Sequence, residues 1–399
     1  MSLQTFIAAK LISTFARLRI LILSLSIIIN LGVLFYFKYL NFFITELSNA
    51  FDLTIHYTLE HILIPLGVSF YIFQSFTYVL DVFLNKIAPE RNIIKYFTFI
   101  AFFPQLVAGP IERASNLLPQ FNNLKRMSLD NVYLGIKIII IGLFLKVFIA
   151  DNIALFTDQI FYNYTNFNGG TLLLGAIGFT IQIYGDFAGY SLIAIGVAKI
   201  MGFNLMRNFD TPYFSVSIQD FWRRWHISLS SFFKDYVYIP LGGSRSTNHK
   251  TYRNLLITFS ISGLWHGANW TFIFWGLTHG LFVILQKMLP VSVNKLLGWL
   301  TTMTLVLVLW VLFRSESVSD FLVYISIIVT NPGLPEIGFP ILIFSMYYFL
   351  LDVVLLFYKE QGSVWFKSPV LESAILAVML VIILGTMHYK SYNFIYFQF

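Results

Sequence analysis

Residues 254–286 contain no Asp, Glu, Lys or Arg at any of their 33 positions, and this stretch constrains the fold more than any other. A membrane-spanning helix needs about 20 mostly apolar residues, because each residue rises about 1.5 Å across a hydrocarbon core of about 30 Å. The stretch is too long for one span, so we expect two segments joined around residues 263–269. Only 11% of the chain is charged, whereas soluble domains average about 25%. We therefore predict an integral membrane protein.

Further stretches have the length or composition of membrane segments, and one of them is interrupted. Pro104, Gly109 and Pro110 break the apolar run 96–111, so we expect a broken or re-entrant helix there. No internal repeat or linker divides the chain, and residues 1–399 are predicted to form a single domain. With a shorter stretch at 321–330, roughly 9–11 segments of an all-α polytopic membrane protein are expected. The other predicted segments are 20–37, 62–80, 132–150, 171–198, 296–313, 337–358 and 373–389.

Lysines and arginines are distributed unevenly around the first predicted spans. Lys10, Arg17 and Arg19 precede the first span, whereas residues 41–61 contain neither Lys nor Arg and the next loop is basic again. Because cytoplasmic loops carry the basic excess, we predict a cytoplasmic N-terminus and a multi-pass protein of the cytoplasmic (inner) membrane. No small-residue cleavage site follows the first apolar segment, so no cleavable signal peptide is expected.

Several kinds of chemistry are excluded by what the sequence lacks. The chain has no Cys, which rules out disulfides, thiolate zinc sites, iron–sulfur clusters and cysteinyl intermediates. Its net charge is +7, but no basic run with interleaved aromatic residues suggests a nucleic-acid partner. The G-x-S-x-G, Walker A, G-x-G-x-x-G and H-E-x-x-H motifs do not occur, nor does an Asp five positions after any His.

One polar segment, residues 220–253, interrupts the apolar pattern with six basic and two acidic residues. Its apolar positions from Phe221 to Phe233 follow helical spacing, which predicts an amphipathic helix that contains His226. In one interpretation this helix is an interfacial anchor whose Arg223 and Arg224 reach lipid phosphates. In the other, the two arginines bind the phosphates of an anionic acyl donor.

His266 is the outstanding candidate for a functional residue. It lies in SGLWHGANW, inside the uncharged run and between Gly263 and Gly267. Ionisable residues in membrane segments are costly and usually functional. On a continuous helix, Asn269 and Trp270 would share its face and could orient the imidazole or donate to an oxyanion. The alternative is a structural His that hydrogen-bonds a neighbouring helix.

A metal site is not expected at these histidines. His279 follows His266 by thirteen residues in WGLTHG, which is too far for a compact local motif. Zinc needs three or four ligands, and no two histidines of the chain have H-x-x-x-H spacing. Because the pKa of His lies near neutral pH, His266 could instead be a general base toward an alcohol.

Six motifs in order resemble the membrane-bound O-acyltransferase (MBOAT) family: PLGVSFYIFQSFTYVLDV, FFPQLVAGPIER, YGDFAGYSLIAIG, DFWRRWHISLSSFFKDYVYIPLGG, GLWHGANWTFIFWGLTHG and FIYFQF. They are most similar to its alginate O-acetyltransferase subgroup, and more distantly to D-alanyl transfer proteins. The resemblance implies that His266 is the central catalytic residue and that His226 is the second one. Trp265, Asp186 and His279 lie in the matching motifs and are candidate substrate-binding or orienting residues.

The resemblance also implies a fold and a set of substrates. The fold would be a ring of spans around a central tunnel or funnel, where a cytoplasmic acyl donor and an extracytoplasmic glycan acceptor meet. The donor, such as acetyl-CoA or an acyl carrier, is a substrate, and no bound cofactor is expected. A partner acyltransferase or carrier protein is expected besides the lipid bilayer. The chain departs from the pattern at Leu192, where an acidic residue is usual, and in a short N-terminus that lacks one or two spans.

Three hypotheses follow from this sequence. The first is acetyl transfer from a cytoplasmic donor to hydroxyls of an extracytoplasmic polysaccharide, either an exopolysaccharide or peptidoglycan. The second keeps the fold but transfers D-alanine or another acyl group to teichoic acid or lipid. The third, from another class, is a proton-coupled transporter or channel in which His266 and Asp186 relay protons.

Overall fold

The computed structural model describes most of the chain. It covers residues 1–52, 67–106, 109–123, 128–245, 247–289, 294–360 and 368–387, with the backbone alone at 356–360. His56, His61, His388 and the C-terminal motif 394–399 lie outside the described residues, as do the first residues of the predicted segment 62–80 and the last of 373–389.

Every regular element in these described ranges is a helix, which confirms the all-α prediction. The first half of the chain contains α1 (Ser2–Thr14), α2 (Arg19–Leu34), α3 (Leu40–Phe51), α4 (Val68–Phe83), α5 (Ile93–Ile100), α6 (Ala114–Leu117), α7 (Leu129–Leu143), α8 (Asp151–Tyr162) and α9 (Gly169–Ile200). The second half contains α10 (Ile218–Arg224), α11 (Ile227–Phe233), α12 (Asn248–His266), α13 (Trp270–Met288), α14 (Lys295–Arg314), α15 (Val318–Thr330), α16 (Pro340–Glu360) and α17 (Pro369–Thr386).

Five helices of the described residues are long and apolar enough to cross a membrane, and three shorter apolar helices accompany them. This number is lower than the 9–11 segments predicted. The predicted segments 62–80, 321–330 and 337–358 overlap the three shorter helices, and the run 96–111 contributes only the eight-residue α5. Two of the five long helices continue beyond their apolar runs, since α2 and α3 are joined by a π-helical turn and so are α7 and α8. The five are Ala16–Phe51, Leu129–Tyr162, Gly169–Ile200, Lys295–Arg314 and Pro369–Thr386, and the shorter three are Val68–Phe83, Val318–Thr330 and Pro340–Leu355.

Two predicted interruptions of the membrane segments are confirmed. α5 ends at Ile100, a short 3₁₀ turn follows at Phe103–Gln105, and α6 does not begin until Ala114. The run 254–286 divides into α12 and α13, which are separated by residues 267–269. Both breaks leave backbone groups without helical partners, and such groups are tolerated at membrane depth only where protein or water surrounds them.

The central helix of the molecule is α9, which packs against α7, α8, α14, α15 and α16. It approaches α7 closely through facing glycines. A Cβ on Gly142 would lie 2.7 Å from the Gly189 carbonyl oxygen, and one on Gly135 would lie 2.7 Å from that of Gly196. Small residues allow membrane helices to pack backbone to backbone. The glycines thereby let α7 and α9 pack backbone to backbone at these two positions.

Candidate active site

The helical hairpin α12–α13 places His266 at a break. α12 ends at His266, Gly267 is extended (φ −163°), and α13 begins at Trp270. The Asn269 side chain caps α13 by accepting a hydrogen bond from the Thr271 amide at 3.1 Å. Because the helix is interrupted, the prediction that His266 shares a helical face with Asn269 and Trp270 is wrong.

The two helices of this hairpin are in close contact at Gly263. A Cβ on this residue would lie less than 3.0 Å from the backbone carbonyl oxygen of Phe272, a separation that real Cβ atoms essentially never show. Gly276 on α13 faces Gly263 on α12. The absence of a side chain at Gly263 therefore lets α13 lie directly against the last turn of α12.

Replacing Gly263 with alanine should separate α12 from α13 and destabilise the protein by about 1–3 kcal/mol, the usual cost of overpacking. Thermal unfolding of the purified protein in detergent measures this. The matched control is Gly32→Ala, because nothing lies within 4 Å of a Cβ at that position of α2. The control should be neutral or slightly stabilising, since alanine favours a helix by up to about 1 kcal/mol over glycine. Equal unfolding temperatures for the two variants would contradict the prediction.

The second predicted catalytic residue, His226, also lies at a break. The single amphipathic helix predicted here is wrong, because α10 ends at Arg224 and α11 begins at Ile227. His226 adopts a left-handed conformation (φ 42°), which is uncommon outside glycine. The Ile227 amide bonds the Asn208 carbonyl at 2.8 Å, so a tertiary hydrogen bond replaces the helical one.

The aromatic face of this segment packs into the protein interior. Phe221 and Trp225 are fully buried, and Trp225 contacts Trp310 with ring centroids 4.9 Å apart. Tyr184 of α9 lies on another side of Trp225, at 6.1 Å. The interfacial-anchor interpretation is therefore wrong, since the face expected to enter lipid is occupied by protein.

A buried polar network next to His226 holds this break. The Ser228 hydroxyl donates to the Asn208 side-chain oxygen at 2.6 Å, and the Asn208 amide donates to the Ser191 hydroxyl at 2.9 Å. The Ile111 amide donates to Ser228 at 3.1 Å. Sequence analysis missed Asn208 and Ser228. Ser228, the first serine of HISLS, lies in one of the six motifs, whereas its partner Asn208 lies twenty residues earlier and in none of them.

The two histidines meet in a cluster of aromatic rings that includes Trp265, Trp275 and Phe313 and is called the aromatic chamber below. Their ring centroids are 6.5 Å apart, although forty positions separate them along the chain. The His266 ring is in edge contact with Trp265 (5.0 Å), Trp275 (5.2 Å) and Phe313 (5.4 Å). His226 is fully buried and His266 is 4% exposed. One bound group could contact both imidazoles, because a hydrogen bond from each ring nitrogen spans about 3 Å.

His279, like His266, is in edge contact with the ring of Trp275. Its ring centroid is 4.8 Å from Trp275, and its Nδ1 accepts a hydrogen bond from the Trp222 indole at 3.3 Å. His279 also stacks parallel to Phe221. Through these contacts His279 packs against Trp275 and Trp222. A role in substrate binding stays a prediction.

Four other predicted residues lie outside the chamber. Arg223 is exposed, and Arg224 pairs with Asp220 one helical turn away at 3.0 Å. Trp270 is 46% exposed and contacts Phe42, while Asn269 donates to the Glu316 carbonyl at 2.7 Å. Their roles toward a substrate stay predictions, and their observed contacts are structural.

Asp186 belongs to a buried ion cluster. Lys146, in the π-helical turn Phe144–Ala150, contacts Asp186 and Asp151 at 2.6 Å each. The next residue of α9, Phe187, contacts His226 with ring centroids 4.6 Å apart. Asp186 thus lies one residue from the chamber wall and joins α9 to the turn between α7 and α8.

The imidazoles of His226 and His266 are suited to act as buried bases. An imidazole accepts a proton in its neutral form, and apolar surroundings favour that form over the charged imidazolium. Among the residues that the structure describes, no three His, Asp or Glu side chains lie together in an arrangement suited to a metal ion. The predicted absence of a metal and the predicted tunnel both stay predictions.

Comparison with known proteins identifies the family of the chain. Residues 85–313 match the family model described as MBOAT, membrane-bound O-acyltransferase family. That range spans more than half of the chain and includes His226, His266 and the chamber walls. The chain belongs to the membrane-bound O-acyltransferase family.

Named relatives are similar over most of this chain. The protein named "Probable alginate O-acetylase AlgI" of Azotobacter vinelandii is 43% identical over 74% of the chain and 60% of its own length. The "Peptidoglycan O-acetyltransferase" of Helicobacter pylori is 37% identical over 75% of the chain and 63% of its own length. The "Teichoic acid D-alanyltransferase" of Bacillus subtilis is 29% identical over 61% of the chain and 64% of its own length. The chain therefore spans about three-fifths of the length of these relatives.

Proposed function

We propose that this protein is a membrane O-acyltransferase that transfers an acetyl group from a cytoplasmic donor to hydroxyls of an extracytoplasmic polysaccharide. The observation that carries the proposal is the meeting of His266 and His226, two buried imidazoles from separate helix breaks, inside one aromatic chamber. A chamber of this kind provides a neutral base in surroundings from which water is largely excluded.

His266 is the general base in this proposal. It removes the proton of an acceptor hydroxyl as the oxygen attacks the acyl carbonyl carbon. The new ester C–O bond forms, the bond to the donor's leaving group breaks, and the proton passes from the imidazole to that leaving group. For a thioester donor such as acetyl-CoA or an acyl carrier, the products are an O-ester and a thiol. Base catalysis of this kind contributes about 10²–10⁴-fold to a rate.

His226 borders the same space and orients the reacting groups. Its ring is fully buried and packs against Phe187 and Trp265 with centroids 4.6 and 6.0 Å away, which leaves it little freedom. A rigid second imidazole at 6.5 Å can hold the acceptor or the acyl carbonyl relative to His266. Holding reactants in a productive geometry can lower a barrier by several kcal/mol, up to about 7–11.

The acetyl group and the glycan acceptor are supported by the relatives. The two O-acetylating relatives are 43% and 37% identical to the chain, whereas the D-alanylating relative is 29% identical. We place the protein in the cytoplasmic (inner) membrane, where it would act with a partner acyltransferase or carrier protein that reaches the polymer. The exposed Arg223 is available for the phosphates of an anionic donor.

Ester analysis of surface polymers tests the proposal. A deletion strain is compared with the same strain carrying the gene on a plasmid, and alkali-labile acetyl and D-alanyl groups are quantified on purified exopolysaccharide, peptidoglycan and teichoic acid. We expect acetyl esters on one polysaccharide to disappear on deletion and to return with the plasmid. Loss of D-alanyl esters alone would replace the acetyl proposal with D-alanyl transfer. Unchanged esters together with solute flux into liposomes holding the purified protein would favour a transporter.

A further inference from the structure

The end of α12 is held by two residues of the first span. Lys38 and Tyr39 belong to the π-helical turn Phe35–Tyr39, inside the continuous apolar helix Ala16–Phe51. The Lys38 ammonium donates to the carbonyl oxygens of Trp265 and His266 at 2.7 and 2.9 Å. The Tyr39 hydroxyl donates to the Leu264 carbonyl at 2.9 Å. Two consecutive side chains thus bind three consecutive carbonyls.

These carbonyls need donors from outside their own helix. The last four carbonyls of an α-helix have no intrahelical partner, and α12 ends at His266. Gly267 is extended (φ −163°, ψ 156°) and does not form the common left-handed cap. A cation at this position is also favoured by the negative end of the helix dipole. Lys38 and Tyr39 therefore supply the C-terminal cap that the local sequence does not.

The position of Lys38 is costly by itself. An 18-residue stretch of the helix that carries it has a mean hydropathy of 2.5, and a charged side chain beside such a stretch is expensive unless it is paired or functional. A π-helical turn also disturbs the regular hydrogen bonding of a helix and is frequent at functional sites. The placement of Lys38 and the π-helical turn are both explained by the contacts that this turn makes with the end of α12.

We propose that Lys38 and Tyr39 are positioning residues that fix His266 in the geometry required for acyl transfer. They bind the backbone of α12, and the Lys38 ammonium also lies 5.9 Å from the ring centroid of Trp265. The proposal rests on the function proposed above, in which His266 is the base. Since Lys38 binds the carbonyl of His266 itself, release of this contact lets the imidazole move relative to His226.

The expected effect lies on the chemical step. A misplacement of about 1 Å in a catalytic group can cost about 100-fold in rate. Because Lys38 does not touch the reacting atoms in this proposal, donor binding should change little. The ratio of kcat to KM effects therefore separates a positioning role from a binding role.

The experiment uses the purified full-length protein in vesicles, with acetyl-CoA as donor and, as acceptor, the polysaccharide isolated without its acetyl esters from the deletion strain. Lys38→Met should lower kcat about 10- to 100-fold with KM for acetyl-CoA within about threefold of the unmodified protein. Lys38→Arg keeps a cation and several donors and should recover most of kcat. Tyr39→Phe should have a smaller effect, because one of three carbonyl contacts is lost. Lys10→Met, an exposed lysine of α1, is the matched control and should be unchanged.

Each outcome is decisive for one of the two proposals. If Lys38→Met keeps full kcat while His266→Ala abolishes ester formation, the positioning role is wrong and the proposed function stands. If His266→Ala also keeps full activity, the proposed function fails. A kcat that falls with Lys38→Met, stays low in Lys38→Arg and is accompanied by a lowered unfolding temperature in both would assign Lys38 to folding alone and overturn the positioning role.

Discussion

Replacing His266 with alanine should reduce ester formation by at least about 100-fold, the lower end of what a positioned general base contributes. The variant removes an imidazole that contacts Trp265, Trp275 and Phe313 together. Acetyl content of the surface polysaccharide, at matched protein abundance in the membrane, measures the effect. His266→Gln should be equally inactive, because an amide keeps polar contacts but cannot accept the hydroxyl proton.

The control for this result is another histidine of the same chain. His249 is exposed at the start of α12, so His249→Ala should leave ester formation unchanged. If His266→Ala retained more than a tenth of the wild-type ester while folded, a base other than His266 would be required. Equal losses in the His249 and His266 variants would point instead to damage of α12 as a whole.

His226 calls for a substitution that separates chemistry from backbone conformation. Its φ of 42° is poorly tolerated by alanine, whereas asparagine adopts left-handed conformations more readily. His226→Asn should therefore keep the break between α10 and α11 but lose the imidazole. We expect lower activity with near-normal thermal stability, and lower stability in His226→Ala. Full activity in His226→Asn would exclude a chemical role for this ring.

The position of His266 could be predicted because its signals are local. A run of 33 uncharged residues is too long for one span, and glycines on both sides of the histidine predict where it breaks. Gly263 is needed for close packing, and Gly267 begins the extended link to α13. The juxtaposition with His226 was implied by family resemblance alone, because no periodicity relates residues forty positions apart.

The break at His226 could not be predicted because helical spacing continues through it. The apolar positions from Phe221 to Phe233 keep their period on both sides of the break. What ends α10 is a tertiary contact between two loops of backbone. The Asp210 amide bonds the Arg224 carbonyl at 3.0 Å, and the Ile227 amide bonds the Asn208 carbonyl at 2.8 Å. Hydrophobic periodicity predicts which residues are buried, but carries no information about competing hydrogen-bond partners.

The capping role of Lys38 could not be predicted from sequence for a related reason. It follows the first apolar run and looks like a charge that flanks a span, whereas the helix continues to Phe51. Its carbonyl partners are 227 and 228 positions away along the chain. A lysine at the end of an apolar run is therefore ambiguous in sequence, and only the folded structure distinguishes an interfacial residue from a half-buried cap of another helix.

Replacing Lys146 with methionine should destabilise the protein by about 3–5 kcal/mol, because removal of one partner leaves buried charges uncompensated. Lys146 lies between Asp151 and Asp186 at 2.6 Å from each, and the side chains of Lys146 and Asp186 are only 8% and 4% exposed. Thermal unfolding in detergent and protein abundance in the membrane measure the loss. Lys10→Met, which removes only an exposed cation–π contact with Phe6, should change stability by less than about 1 kcal/mol.

The double variant Lys146→Met with Asp186→Asn then assigns the role of Asp186. Removing a charge of each sign leaves Asp151, whose side chain is the most exposed of the three at 16%. Stability should therefore recover in part. If ester formation recovers with it, Asp186 serves the ion cluster that joins α9 to the turn before α8. If stability returns while the KM for acceptor or donor stays raised, Asp186 acts on a substrate through Phe187 and the neighbouring His226, as the sequence motif suggested.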